Sequence, residues 1–596
     1  MLLRVPLRLL LACAPLVAQT TPEALDVVPP GAAAYLFART PLLAQAKLQG
    51  LLQRMGEKVP DPLQELQTRF GLRRLPVDRR GVALVFPELS PTGQAHPLVF
   101  LALKDPKDLL AELKATPREG GLYAFKAQGE GRALTLREGW AILGDPGQAQ
   151  ALRKAAKEAG GLRPALGELA SWLESQDLSG LLTGDGFWSL TQEIRKQVGL
   201  SRAGASAAGD PMAKAEAFLA EAQREVRFIG ARVDVDEHGN LKGVLRVQLH
   251  PQGQWTLMGA GLEETADRGL TGLKGADCMM AMGGVLPRVW QRELGLLSLA
   301  GMGADADLPE AAQQARKEGL DRITQQIRGI HMAMSMPPAP PQQILEVADA
   351  DAYLRELEAF YGGAANPVPT GDKAKGNPAS LPRLSAQRRR VDDHEALAIL
   401  MAPSPDMEQT LGQMPPEQAA RLRESLTRPL SLLVQLDPHT VVQRQGPMSA
   451  QPASGEPAPD LKEAAGLKAA TGLLPDRAQF YAYFNASKIQ ETQEASLALQ
   501  ESHLTEEQRR ALPPLPPLSP FPAFGFALRF EGGAWELHLG MPWETQLGLQ
   551  QAGPERQKAV LARQTALQKA LQAERAKGAP APGMEGAEDS EEPDED

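Results

Sequence analysis

Sulfur-bearing residues alternate along two short stretches of this chain: Cys278, Met280 and Met282 in one, Met332, Met334 and Met336 in the other. Residues two apart share a face of a β-strand, so each triplet would present its sulfurs together, with His331 on the opposite side. Soft sulfur ligands in such an array suit Cu(I). Methionine is equally a flexible filler between sheet and helices, and the first half of the chain carries Ala34, Leu36 and Ala38 at the corresponding positions. Core packing without metal is therefore the expectation, with all five methionines buried.

Other searches for chemistry return little. The chain has no Gly-x-Ser-x-Gly elbow, no His-Glu-x-x-His, no phosphate-binding glycine loop and no cysteine pair at zinc spacing. Its 8 histidines are scattered, and no two stand four apart. The run Asp234-Val235-Asp236-Glu237-His238-Gly239 imitates the start of a calcium loop, but its twelfth position is Leu245, which cannot coordinate. A hairpin turn explains it better, and Asp185 in Thr183-Gly184-Asp185-Gly186 reads as a turn residue. No catalytic residue and no cofactor emerge, which inclines the reading away from an enzyme.

The elements that would position these residues belong to a chain of 596 residues, 43% hydrophobic and 23% charged, long enough for two to four domains. With 56 glycines and 50 prolines, linkers should be plentiful. The net charge of -10 is concentrated at the C-terminal end, where residues 579–596 hold eight acids and no base. Such a run reads as a disordered, solvated tail. The body that remains is close to neutral and lacks the basic field that attracts phosphate backbones, so nucleic acid is disfavoured as a partner.

Residues 1–18 have the form of a secretory signal: a basic start with Arg4 and Arg8, then the apolar run from Leu9 to Ala18. Cleavage after Ala18 would leave Gln19 first and send the protein to the periplasm or medium. The alternative is a lipoprotein box at Leu10-Leu11-Ala12-Cys13, which would anchor the chain by lipid on Cys13. No apolar run is long enough to span a bilayer. Once Cys13 is removed with the signal, Cys278 is the single cysteine left. An exported chain without a disulfide fits a Gram-negative periplasm better than an animal secretory route.

A repeating unit runs along the chain: a short apolar strand entering a helix through a capping residue and proline. It occurs at Asp105-Pro106, Asp145-Pro146, Ser404-Pro405 and Asp437-Pro438, with Thr40-Pro41 and Asp349 or Asp351 as variants. A short oxygen accepts from the first-turn N–H groups, and proline at the first helical position loses nothing. Two alternating hairpins close the halves, at 226–249 and 523–541. The fold expected is α+β: two tandem duplicated modules, 24–265 and 266–545, with mainly antiparallel sheets and helices packed on them. A helix over 550–577 and the acidic tail 578–596 follow. Six prolines in 513–522 predict a stiff connector before the last hairpin.

The Pro30-Gly31-Ala32 opening, the strand-to-helix units and the closing hairpins resemble a class of uncharacterised exported bacterial proteins built from paired α+β modules. The resemblance spans residues 24–545 and implies architecture and export, with no catalytic residue. It points to a non-catalytic binding or structural protein of the cell envelope, whose partner is a protein or an apolar ligand, with peripheral envelope contact possible. The alternatives are an enzyme with a site built from loops and a carrier of an apolar ligand.

Overall fold

The computed structural model describes residues 23–38, 62–73, 81–88, 97–103, 106–137, 139–157, 161–174, 178–197, 220–275, 278–288, 290–291, 310–335, 341–362, 383–391, 393–402, 405–414, 416–427, 429–445, 459–502, 504–518, 520–551 and 553–578. The signal segment, the acidic tail, Met336 and the Thr40-Pro41 junction lie outside them.

Among the described residues, twenty strands form one sheet. In chain order they are β1 (Ala34–Ala38), β2 (Val82–Phe86), β3 (Leu98–Ala102), β4 (Thr116–Pro117), β5 (Leu122–Ala127), β6 (Glu130–Arg137), β7 (Trp140–Gly144), β8 (Leu178–Thr183), β9 (Val226–Val235) and β10 (Leu241–Leu249), followed by β11 (Met280–Gly284), β12 (Ile327–Met334), β13 (Gln342–Val347), β14 (Arg383–Val391), β15 (His394–Ala402), β16 (Ser431–Asp437), β17 (Thr440–Gln445), β18 (Phe480–Phe484), β19 (Phe524–Glu531) and β20 (Ala534–Met541). Every ladder is antiparallel. At the centre β10 pairs with β20, bringing Leu245 opposite Leu537. Outward from β10 the order is β9, β8, β1, β2, β3, β7, β6, β5, β4. Outward from β20 it is β19, β18, β11, β12, β13, β17, β16, β15, β14. Each strand of the second run stands ten places after its counterpart in the first.

The strands β2, β3 and β7 are apolar throughout and buried on both faces. One face carries Tyr35, Val85, Phe100 and Ile142 under the helices Glu23–Val27, Ala149–Lys157 and Glu168–Glu174. The other carries Leu36, Leu84, Val99 and Leu101 against Phe70, Leu109 and Leu113, supplied by the chain around Pro62–Phe70 and Pro106–Glu112. In the second run the first face is likewise buried, through Ala281, Ala333, Tyr481, Tyr483 and Ala527. The second face is buried toward β13, β15 and β17, where Leu345, Leu397 and Val441 meet Leu354 and Phe360 of the Ala350–Gly362 helix, and at one end of β10 and β20, where Trp535 is buried beside Trp255.

Local chemistry explains most elements. Gly532 and Gly533, with φ of 57° and 71°, make the two-residue loop between β19 and β20 that matches the right-handed strand twist. The Asp236 carboxylate accepts from the backbone N–H groups of His238 and Asn240 at 3.0 and 2.9 Å, so the calcium-like sequence is a hairpin turn. The Asp349 carboxylate caps Ala352 N at 2.9 Å, and helices begin on Pro106 and Pro405. Asp145-Pro146 opens a 3₁₀ turn before its helix, while the Asp145 carboxylate is taken by Arg69 and Arg132 at 2.9 and 2.7 Å.

Two local expectations need correction. Asp437-Pro438 joins β16 to β17 as a tight turn, with Asp437 Oδ1 accepting from His439 N at 2.8 Å, because Asp-Pro starts turns as readily as helices. Asp185 lies in the first turn of the Gly184–Gln197 helix, whose Gly186 N is capped by Thr183 Oγ1 at 3.1 Å. The C-terminal helix spans Gly553–Gly578 and lays Leu567, Val560 and Leu571 against Leu497, Leu504 and Leu512. Its Arg563 reaches Pro513 O at 2.6 Å and grips Glu501 at 2.6 and 2.7 Å, while Arg556 bonds Pro516 O. Arginine thus pins the proline connector by its carbonyls.

Candidate functional site

The centre of the sheet holds two contrasting surfaces. On the first face lies an ionic group at the junction of the two runs. Arg246 Nη1 donates to Glu536 Oε1 at 3.0 Å across the β10–β20 pair, and His538 Nε2 lies 3.0 Å from Glu536 Oε2. The Arg232 guanidinium stands 4.7 Å over the Trp172 ring. Burial works to raise the Glu536 carboxyl, but the His538 hydrogen bond and the charges of His538, Arg246 and Arg232 outweigh it and hold the group below its ordinary range. Burial also lowers Arg232, more than the Glu536 charge restores. Both Arg246 and Glu536 are buried. The carboxylate that could serve as a base is thus already ionised, doubly engaged and walled off, an arrangement suited to joining strands and ill suited to meeting a substrate.

A fully buried histidine lies farther along the same face. His331 is wholly enclosed, with Nδ1 3.0 Å from Gly269 O and Nε2 3.2 Å from Glu346 Oε1. Burial disfavours its charge, yet the Glu346 hydrogen bond, the Gly269 carbonyl and the Glu346 charge together raise its pKa. The hydrogen bond from His331 lowers Glu346 in turn. Gly269 closes a turn in which Asp267, Arg268 and Gly269 all have left-handed φ, at 46°, 49° and 76°. A side chain on Gly283 would strike Gly269 O at 1.9 Å, so the turn can lie against the sheet only because Gly283 is bare.

On the second face, register fixes a run of apolar side chains. Met282 pairs with Met332 and Met280 with Met334; Met280 is flanked by Phe484, which pairs with Phe524. Phe484, Phe524 and Phe526 form a mutual aromatic group with centroids 5.7 to 6.0 Å apart. Phe526 then pairs with Leu539, and Leu537 with Leu245. None of these residues belongs to a buried cluster. The phenylalanines and three of the methionines are half-buried, while Met334, Leu245 and Leu537 are 38%, 37% and 39% exposed. One end of the run is covered, where Trp255 of the Gln254–Ala260 helix and Trp535 pack with Val247 and Phe530 and the Trp290 ring lies 5.4 Å from that of Trp535.

The sulfur residues separate accordingly. Cys278 precedes the strand, and the chain turns at Met279, so its thiol is buried with Ala281 on the first face and does not share the methionine face. Met280, Met282, Met332 and Met334 come together but are not the sealed core that packing predicted. His331 lies opposite them, as alternation requires. Composition and spacing missed the ionic junction, because Arg246 and Glu536 share their strand face with Lys242, Gln248 and His538 and so read as its wet side.

A groove of about 690 Å³ lies at the ends of β1, β8 and β9, lined by Glu88, Asp185, Arg227 and His250 among others. Arg227 turns to Ala165 O at 3.3 Å, and His250 and Asp185 are exposed, so the groove gathers no convergent set of groups. Among the described residues no three His, Cys, Asp or Glu side chains are grouped to hold a metal, and no helix is long and apolar enough to cross a membrane.

No family model matches the chain, and no curated protein matches it. Among solved structures it is similar to crystal form I of TP0453, at 13% identity over 39% of this chain and 80% of that one, with a TM-score of 0.20. Crystal forms IV and III of TP0453 match at 12% identity over 38% of this chain and 83% and 79% of theirs, with TM-scores of 0.21 and 0.22. A likeness this slight carries no weight for function.

Proposed function

We propose that the chain is an exported bacterial cell-envelope protein acting as a non-catalytic binding module, with an apolar ligand held on the open part of the sheet's second face. The observation that carries the reading is the run Met280, Phe484, Phe524, Phe526, Leu537 and Leu245, which lies outside every buried cluster. Contiguous half-exposed apolar surface of this kind marks a binding face, and methionine adapts to flexible apolar shapes. The closed ionic junction favours this over catalysis. In the same reading 24–265 and 266–545 are copies of one module, and the mature chain begins at Gln19. N-terminal sequencing that finds lipid-modified Cys13 would overturn that start.

An environment-sensitive apolar dye tests the binding face. Phe526→Glu places a charge on half-exposed surface, so the fold should survive while dye affinity falls by about tenfold or more, the equivalent of about 1.4 kcal/mol. Dye affinity unchanged in both Phe526→Glu and Leu537→Glu would remove the proposal.

A further inference from the structure

We propose that Met280, Met282, Met332 and Met334 form a thioether site for a soft monovalent cation, Cu(I) or Ag(I). The register makes two directly opposed pairs, Met280 with Met334 and Met282 with Met332, adjacent along the same two strands. Opposed side chains start about 4.5–5.5 Å apart at Cβ and diagonal ones about 7–8 Å. The first two side-chain torsions of methionine swing its sulfur about Cβ, enough for sulfurs from all four corners to close on one ion. On one side stand the apolar Phe484 and Ala482 of β18, and on the other the uncharged Gln343 of β13, opposite Met332. The nearby sulfurs are otherwise engaged: Met279 Sδ accepts from Thr492 Oγ1 at 2.8 Å, and Cys278 is buried on the other face.

Chemistry then selects the ion. Thioethers are soft, neutral donors, which suits Cu(I) and leaves hard cations such as Ca²⁺ and Mg²⁺ unmatched. Among the described residues the cross-strand neighbours of the four methionines carry no charge, and the cost of dehydrating an ion climbs steeply with its charge, so a divalent ion is poorly served. Entry is open because Met334 is exposed. Thiolate and imidazole ligands must shed protons and lose metal in acid. A thioether has no proton to shed, so this site keeps its ion at a pH where histidine sites let go. Binding changes no oxidation state, and it depends on the sulfurs rather than on any apolar ligand.

Titration of the full chain with Cu(I), without oxygen and against a chromogenic Cu(I) chelator, tests it. The expectation is one ion bound per chain, retained at about pH 5, with affinity lowered about tenfold or more in Met282→Leu/Met332→Leu, since even outer-shell losses cost metal sites that much. The leucines keep volume, and dye binding at Phe526 should persist, which separates failure here from failure of the apolar-ligand proposal. Ag(I) protection of methionines from alkylation, mapped by mass spectrometry on the unaltered chain, makes the test independent of the variants. Protection confined to these four residues supports the site. Binding that survives the double variant, that disappears with Cys278→Ala instead, or that leaves the four sulfurs open to alkylation overturns it.

Discussion

Both ring nitrogens of His331 face acceptors, so only the imidazolium, with two N–H groups, satisfies Gly269 O and Glu346 together. Its pKa is raised from 6.5, so its stabilisation is complete below that value and disappears as the pH climbs through the folded one. Glu346 is lowered from 4.5, so its share is present above that value and disappears as the pH falls through the folded one. Wild-type protein should therefore lose urea resistance as the pH rises above about 6.5, with His331→Gln following a flatter course. Parallel curves would sink the argument. Glu536→Gln tests the junction: it leaves Arg246 buried beside a neutral partner, and denaturant unfolding should show a loss of about 3–5 kcal/mol. These polar pairs were only partly legible in the sequence. Alternation puts His331 opposite Met332, but nothing local says that Gly269, 62 residues earlier, supplies its second acceptor.

Among the elements, hairpins and caps were the most legible, because their determinants are neighbours in the chain. The Gly532-Gly533 loop is read from a few residues, and the cap of the Ala350–Gly362 helix is narrowed to Asp349 or Asp351, of which the structure uses Asp349. Asp437-Pro438 was not, since the dipeptide serves both a turn and a helix start and only the pairing of β16 with β17 decides between them. The methionine strands show the other limit. Period two correctly places Met280 with Met282, but Cys278 precedes the strand, and the cover above a face depends on which distant helices land there. The Gly553–Gly578 helix is similarly tertiary, held by Leu567 and by Arg563 on Glu501. Leu567→Ala should cost that helix about 2–5 kcal/mol. Limited proteolysis should then cut near residue 552 while the sheet stays resistant; simultaneous loss of both would mean that the helix is integral to the sheet.

At the scale of the whole molecule, a sheet this long must manage two ends, and it does so differently at each. At one end β4 has only two residues, one of them Pro117, too short to template another strand. At the other β14 runs for nine residues and carries Arg388, Arg389 and Arg390, so a second copy approaching edge to edge would meet like charge. Replacing Arg389 and Arg390 by threonine should produce concentration-dependent association in sedimentation velocity, with the wild type unchanged over the same range. Monomeric behaviour of the variant would show that the edge is guarded in another way.

The meeting of β10 with β20 also sets a timetable for a ribosome. All the partners of β1 to β9 lie within the first ten strands, so that run can close on itself as soon as it emerges. The free side of β10 cannot. Leu241 waits for Met541, and Gln248 for Ala534, nearly half the chain later. At about 5–20 residues per second this is roughly 15–60 s, far longer than a hairpin takes to form. For that interval the nascent chain trails an unpaired strand bearing Val244, Leu245 and Val247, the kind of edge that captures a neighbour on the same polysome. The last strand of the sheet to be made is the one that removes the hazard.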